Sequence, residues 1–234
     1  MTTPLTTTTG SSLGFELEAV LFDMDGTLVD TERNWFATET AVMADLGFTL
    51  TARHAEYLLG SPMERAVAYL LSVSGLDVPP AELEHRINAG MVAQLRDGVE
   101  LRPGAKRLLA EVDDAGVPCA LVTASQRVIV DAVLPSIGAH HFRFTVAGDE
   151  LARTKPHPDP YLTAARRLDA QPWACVVVED SPTGIASGEA AGCAVLAVPS
   201  MTPIPPAPTR TVVQSLESVD LEFLRDLTRA RVAR

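Results

Sequence analysis

Two carboxylates stand two residues apart in DMDGT, as Asp23 and Asp25, directly after the apolar run Glu18 to Phe22. Three further features fall in loops that follow predicted strands: LVTAS at Leu121 to Ser125, Lys155 within RTKPHPDP, and VVVEDS at Val176 to Ser181. A carboxylate after a strand is often a turn or capping residue, and a lone lysine is usually a solvated charge. All four features at strand ends of one chain are far less easily an accident. Asp23 and Asp180 together concentrate negative charge that calls for a cation, and hard oxygen ligands select Mg²⁺. Mg²⁺ keeps coordination positions for water and for a substrate phosphate oxygen, which leaves Asp25 for proton transfer. The Thr123 hydroxyl, the backbone N–H of Ala124 and the charge of Lys155 are what a phosphoryl group needs to be held by its oxygens.

Such residues must be carried on elements that bring strand ends together. The run Glu18 to Phe22 is almost wholly apolar, as are Val117 to Val122, Cys175 to Val178 and Cys193 to Val198, which suits strands covered by helices on both faces. Helical stretches lie between them: Ala105 to Asp114 closed by Gly116, Arg127 to Leu134, Pro160 to Leu168, and Gly184 to Ala191 closed by Gly192. The alternation predicts an α/β fold, a doubly wound, Rossmann-like parallel sheet with ligands at the carboxyl ends of the strands. Residues from about Thr31 to Asp97 lack short β-branched runs and show helical apolar spacing at Trp35 to Leu46, Met63 to Leu71 and Ala81 to Leu95. That block is long for a crossover and predicts an inserted helical cap over the strand ends. The expected division is a tail at 1–14, a core at 15–31 and 98–234, and a cap at 32–97. The proline-rich PIPPAP segment then leads to a short TVV strand and a final amphipathic helix at Leu221 to Val232.

Composition narrows the partners. The 234 residues carry 19 basic and 30 acidic side chains, a net charge of −11, with no Lys/Arg block to track a phosphate backbone, so nucleic acid is not an expected partner. At this length a core should form without disulfides or structural metal. No run of about 18 apolar residues predicts a membrane span. Cys119, Cys175 and Cys193 sit singly in apolar segments and read as buried thiols, which suits a reducing cytoplasm. The Thr-rich stretch Met1 to Gly14 has no apolar core of the secretory kind and reads as a disordered lead-in.

DMDGT, the threonine of LVTAS, the lysine of TKPHP and the acidic pair of VVVEDSPTGIASGEAAG resemble the four motifs of the haloacid dehalogenase superfamily. RPGAKRLLAEVDDAG and KPHPDPYL are similar to its phosphatase and β-phosphoglucomutase-like members. The resemblance runs from about Glu18 to Val198 and includes a helical cap after the first motif. It implies Asp23 as a nucleophile that forms an aspartyl-phosphate, and Asp25 as acid for the leaving group and then base for water. It further implies Mg²⁺ held by the Asp23 carboxylate, the Asp25 carbonyl and Asp180, with Glu179 just outside these ligands, and phosphate bound by Thr123, Ala124 and Lys155.

Asp25 points to phosphate esters, because dehalogenase and phosphonate-cleaving members lack this second aspartate and an alkoxide leaving group needs a proton. The β-phosphoglucomutases are distinguished by a cap histidine and a cap arginine, where this chain has Trp35 and Met63. The expected activity is therefore a Mg²⁺-dependent phosphatase acting on a small sugar or polyol phosphate, with a phosphomutase as the alternative. A signalling receiver domain also pairs aspartates with Thr and Lys around Mg²⁺, but it is about half this length and carries its acceptor aspartate on a later strand. Glu32, Trp35, Gly60, Ser61 and Met63 are the cap residues expected to face the site and select the alcohol. His157 reads as structural, and His54, His85, His140 and His141 show no metal-ligand spacing. A monomer in the cytoplasm is expected.

Overall fold

The computed structural model describes residues 16–58 and 61–232. The lead-in expected at Met1 to Gly14 lies outside them. The chain begins with β1 (Ala19–Phe22) and enters four helices, α1 (Glu32–Asp45), α2 (Ala52–Leu58), α3 (Met63–Ser74) and α4 (Pro80–Leu95). It continues through α5 (Ala105–Asp114), β2 (Cys119–Val122), α6 (Arg127–Ile137), β3 (Phe144–Val146), α7 (Asp159–Arg167) and β4 (Cys175–Glu179). The last elements are α8 (Pro182–Ala190), β5 (Ala194–Ala197), β6 (Arg210–Val212) and α9 (Leu221–Val232).

All strand pairs are parallel, in the order β3-β2-β1-β4-β5-β6. The expected α/β doubly wound sheet is what forms. The inner strands β1, β2, β4 and β5 are apolar on both faces, apart from Glu179 at the end of β4, because helices cover both. Val20, Phe22, Leu121, Val176 and Val178 pack with residues of α5, α6 and α9, while Ala19, Leu21, Val122 and Val177 pack with α7 and α8. Cys119, Cys175 and Cys193 are buried free thiols, consistent with their apolar settings.

Two elements escape the sequence pattern. β3 is a three-residue edge strand, too short for alternation to register, and α2 is a seven-residue helix with one buried side chain, Leu58. α1 to α4 share a separate apolar cluster built on Met43, Leu70, Leu83 and Ile87. Met91 and Leu95 at the end of α4 instead join the sheet-side cluster, and half-buried Trp35 packs against both. The helical block is thus seated on the rest of the chain through α4 and Trp35.

The strand order reverses around β1, where the chain goes to β2 on one side and reaches β4 on the other. Loops diverge at such a point and leave a crevice at the carboxyl ends of the strands. Phe22 is level with Leu121 of β2 and Val178 of β4, so the next residues along each strand bring Asp23, Thr123 and Asp180 to the same rim.

Candidate active site

Asp23, Asp25, Thr123, Ala124, Lys155 and Asp180 all line one cavity of about 150 Å³. That is small beside drug-sized sites of roughly 300–1,000 Å³, and suits a small metabolite. Trp35, Ser61 and Met63 from the helical block line the same cavity. Gly60 lies outside the described residues, as does the side chain of Glu32.

Lys155 is buried, and its ammonium donates to Asp23 Oδ1 at 2.6 Å, to Glu179 Oε1 at 2.7 Å and to the Val122 carbonyl at 2.8 Å. Three donors thus meet three protein acceptors, so the lysine acts first as the cross-brace between two carboxylates. The two neighbouring acids raise its pKa against the cost of burial.

Glu179 is fully buried and collects donors on both oxygens. Oε1 accepts from Lys155 and from the Tyr161 hydroxyl at 2.9 Å; Oε2 accepts from the backbone N–H groups of Asp180 and Ser181 and from the Ser181 hydroxyl at 3.0 to 3.1 Å. A Cβ on Gly184 would fall 1.6 Å from Glu179 Oε1, so the first turn of α8 can pass this carboxylate only with glycine there. Ser181 caps that helix by accepting from the Gly184 N–H at 3.0 Å.

Asp180 accepts from Thr27 Oγ1 at 3.4 Å and from the Ser200 hydroxyl. Gly26 makes this approach feasible: its φ is +78°, and a Cβ would meet Asp180 Oδ2 at 2.1 Å. Carboxylate oxygens of Asp23, Glu179 and Asp180 lie within 4.8 Å of one another. Burial, and next the Glu179 carboxylate, push Asp23 up to about 7 despite the pull of Lys155. This excess of buried negative charge fits a bound cation. Glu179 is surrounded by donors and does not line the cavity, whereas Asp23 and Asp180 do. A second acidic and histidine grouping, Asp113 with His140 and His141, is exposed or half-buried at the opposite end of β2.

Asp25 is held by three hydroxyls: Thr31 donates to Oδ1 at 2.6 Å, and Ser125 and Thr123 donate to Oδ2 at 2.7 and 3.3 Å. A hydroxyl can donate or accept, so this setting serves the carboxylate and the carboxylic acid alike. Thr123 also accepts from the Ser125 N–H at 3.0 Å, which folds the loop toward α6. Gln126 and Ser181, which precede α6 and α8, line the cavity, so two helix N-termini open onto it and favour an anion there.

Thr27, Thr31, Ser125, Tyr161 and Ser200 had no role in the sequence reading, although Ser125 stands inside LVTAS. Hydroxyl residues are frequent on any surface, and only proximity reveals these. Glu39, Asn88 and Gln126 also line the cavity without a motif to mark them. His157 makes local ties: its Nδ1 accepts from the Asp159 N–H at 3.2 Å and its carbonyl accepts from Ser187 at 2.6 Å, joining the start of α7 to α8.

Residues 20–198 match the family described as haloacid dehalogenase-like hydrolase. The chain is 35% identical over 193 residues to hexitol phosphatase A of Escherichia coli, covering 78% of this chain and 84% of that one. It is 33% identical over 177 residues to the fructose-1-phosphate phosphatase YqaB of the same organism, covering 74% and 92%. A 32% identical match to the bifunctional riboflavin kinase/FMN phosphatase of Arabidopsis thaliana covers 78% of this chain and about half, 48%, of that longer protein. Among solved structures, CbbY from Rhodobacter sphaeroides in complex with phosphate superposes with a TM-score of 0.80 at 29% identity, over 89% of this chain and 99% of that one. Among the described residues no helix is long and apolar enough to cross a membrane.

Proposed function

The chain belongs to the haloacid dehalogenase-like hydrolase family, and we propose that, as a phosphoric monoester hydrolase of that family, it releases phosphate from a small sugar or polyol phosphate through an aspartyl-phosphate on Asp23. The observation that carries this reading is the convergence of Asp23, Asp25, Thr123, Lys155 and Asp180 on one small cavity. The sugar and polyol phosphatases among its relatives support the substrate class. Apolar Trp35 and Met63 in the cavity wall favour hydrolysis over a mutase cycle.

Asp23 attacks phosphorus in line with the ester oxygen, forming the acyl phosphate as the P–O bond to the alcohol breaks. Asp25, steered by Thr31 and Ser125, gives its proton to the departing alkoxide. It then takes a proton from the water that attacks phosphorus and frees Asp23. Lys155 aims Asp23 and favours its ionised form against the effect of burial, and Glu179 fixes Lys155 from behind. Asp23, Asp180 and the Asp25 carbonyl would hold Mg²⁺, with Glu179 outside that set. The ion supplies charge neutralisation for the phosphoryl oxygens when bound. The Thr123 hydroxyl and the N–H of Ala124 bind the phosphoryl oxygens. The helical block α1 to α4 serves as the cap that supplies the wall facing the alcohol.

Phosphate release measured with Mg²⁺ across sugar, polyol, nucleotide and glycolate phosphates tests the proposal, with sugar or polyol esters expected to give the highest kcat/KM. A hexose 1-phosphate supplied with a trace of its bisphosphate completes the panel. Isomer formation without free phosphate would replace hydrolysis by phosphomutase activity.

Mg²⁺ binding carries its own pH signature. In cation-free protein Asp23 retains its proton up to about pH 7, while in the unfolded chain it is released near 3.8. The folded state therefore holds the extra proton across that interval, and this group makes stability fall as pH rises from about 4 to about 7. A cation must displace the same proton, so Mg²⁺ affinity should rise from pH 5 to pH 8. The rise in Tm on adding Mg²⁺, recorded at both pH values, reads this directly, and equal rises would count against Asp23 as a ligand.

A further inference from the structure

Asn88 on α4 is 5% exposed and lines the cavity, as do Trp35 and Glu39, and its Oδ1 is a buried polar atom with no hydrogen-bond partner in the structure. Buried amide oxygens are nearly always satisfied, so an orphan on a side chain that lines the cavity marks a place for a donor.

The orientation of this amide is set by its neighbours. The Gln126 Nε2 donates to a carboxylate oxygen of Glu84, an atom that only accepts, so the Gln126 Oε1 must face the other way. That oxygen accepts from Asn88 Nδ2 at 2.7 Å. Turning the Asn88 amide over would set oxygen against oxygen. The chain Glu84, Gln126, Asn88 thus couples α4 to the loop after Thr123 and leaves Asn88 with an acceptor and no donor.

Charge around the cavity narrows the ligand. Among the described residues lining the cavity, Lys155 is the only basic one, and its three donors are taken by Asp23, Glu179 and the Val122 carbonyl. Glu39, 4% exposed, adds an acidic side chain to the lining. A second phosphate or a carboxylate on the substrate would meet no cation there, whereas a hydroxyl brings the proton that Asn88 lacks.

We propose that Asn88 Oδ1 accepts a hydrogen bond from a hydroxyl of the substrate alcohol, which makes the enzyme selective for neutral, polyhydroxylated monophosphates over bisphosphates and carboxylated phosphates. The inference rests on the phosphatase reading above and specifies its substrate. A site built to bond a hydroxyl rejects the analogue without one, because its own polar group is then left unpaired.

Steady-state kinetics with Mg²⁺ test it on the better of fructose 1-phosphate and sorbitol 6-phosphate, beside n-hexyl phosphate, phosphoglycolate and p-nitrophenyl phosphate. The wild type is expected to prefer the hydroxylated ester to n-hexyl phosphate and to phosphoglycolate by about tenfold or more in kcat/KM. In Asn88→Leu, close in shape but without the acceptor, the ratio of kcat/KM for the hydroxylated ester over p-nitrophenyl phosphate should fall at least about tenfold, mainly through KM. The inference is overturned if the wild type turns over n-hexyl phosphate or phosphoglycolate as well as the hydroxylated ester, or if Asn88→Leu keeps the ratio. Hydrolysis of p-nitrophenyl phosphate in those cases leaves the phosphatase reading standing. Absence of phosphate release from every ester in the panel by the wild type defeats that reading and this inference with it. Should Asn88→Leu not fold, Asn88→Ala, which also removes the acceptor, is read by the same ratio.

Discussion

Asp23→Asn should abolish phosphate release, by about 10⁴-fold or more, while the folded protein survives. The amide has nearly the shape of the carboxylate and still offers one oxygen to Lys155, but it is not a nucleophile. Stability should respond in an unusual direction for a buried catalytic residue. Burial and Glu179 hold the Asp23 carboxyl up to about 7, so above that pH its ionised form weakens the cation-free protein, and asparagine removes the cost. In EDTA at pH 8 the variant should melt no lower than the wild type by circular dichroism, and Mg²⁺ should raise its Tm less. Residual turnover above about 1% of wild type would remove Asp23 as the nucleophile.

Asp25→Asn is expected to cost about 10²–10⁴-fold on esters of aliphatic alcohols, the range associated with loss of a general acid. The loss on p-nitrophenyl phosphate should be much smaller at the first step, since that phenolate departs without a proton. Asparagine is a better probe than alanine here. It keeps an oxygen for Thr31 or Ser125, which donate to Asp25 at 2.6 and 2.7 Å, so the loop keeps its partners while proton transfer is lost. Burst kinetics separate the two steps: a rapid release of p-nitrophenol followed by slow turnover places the defect at attack by water, where Asp25 acts as base. Equal losses on alkyl and aryl esters in the first step would exclude Asp25 as the acid.

The residues that meet at the rim were legible because each ends or follows a conspicuous apolar run. Asp23, Thr123 and Asp180 follow β1, β2 and β4, and parallel register brings strand ends level whatever the intervening length. Lys155 was legible as a residue and not in its contacts. Beside the phosphate role its motif implies, its ammonium meets Asp23, Glu179 and the Val122 carbonyl. The helical block was recognisable from spacing, but its short α2 was not, because one buried residue sets no period.

The sequence by itself determined the α/β class, the strand ends that carry charge, and the pairing of carboxylates with threonine and lysine. These depend on local hydrophobic runs and on residue types, which a linear pattern records. The tertiary structure alone decided how Asp25 is steered by Ser125, how Asp180 meets Ser200, and how Glu84 orients Gln126 and so turns the Asn88 oxygen into an unpaired acceptor. The physical reason is that a hydrogen bond between distant side chains depends on ångström-scale positions fixed by packing, with no periodicity to announce it. In the proposed function, substrate choice rests on the Asn88 contact and the phosphoryl chemistry on the motifs.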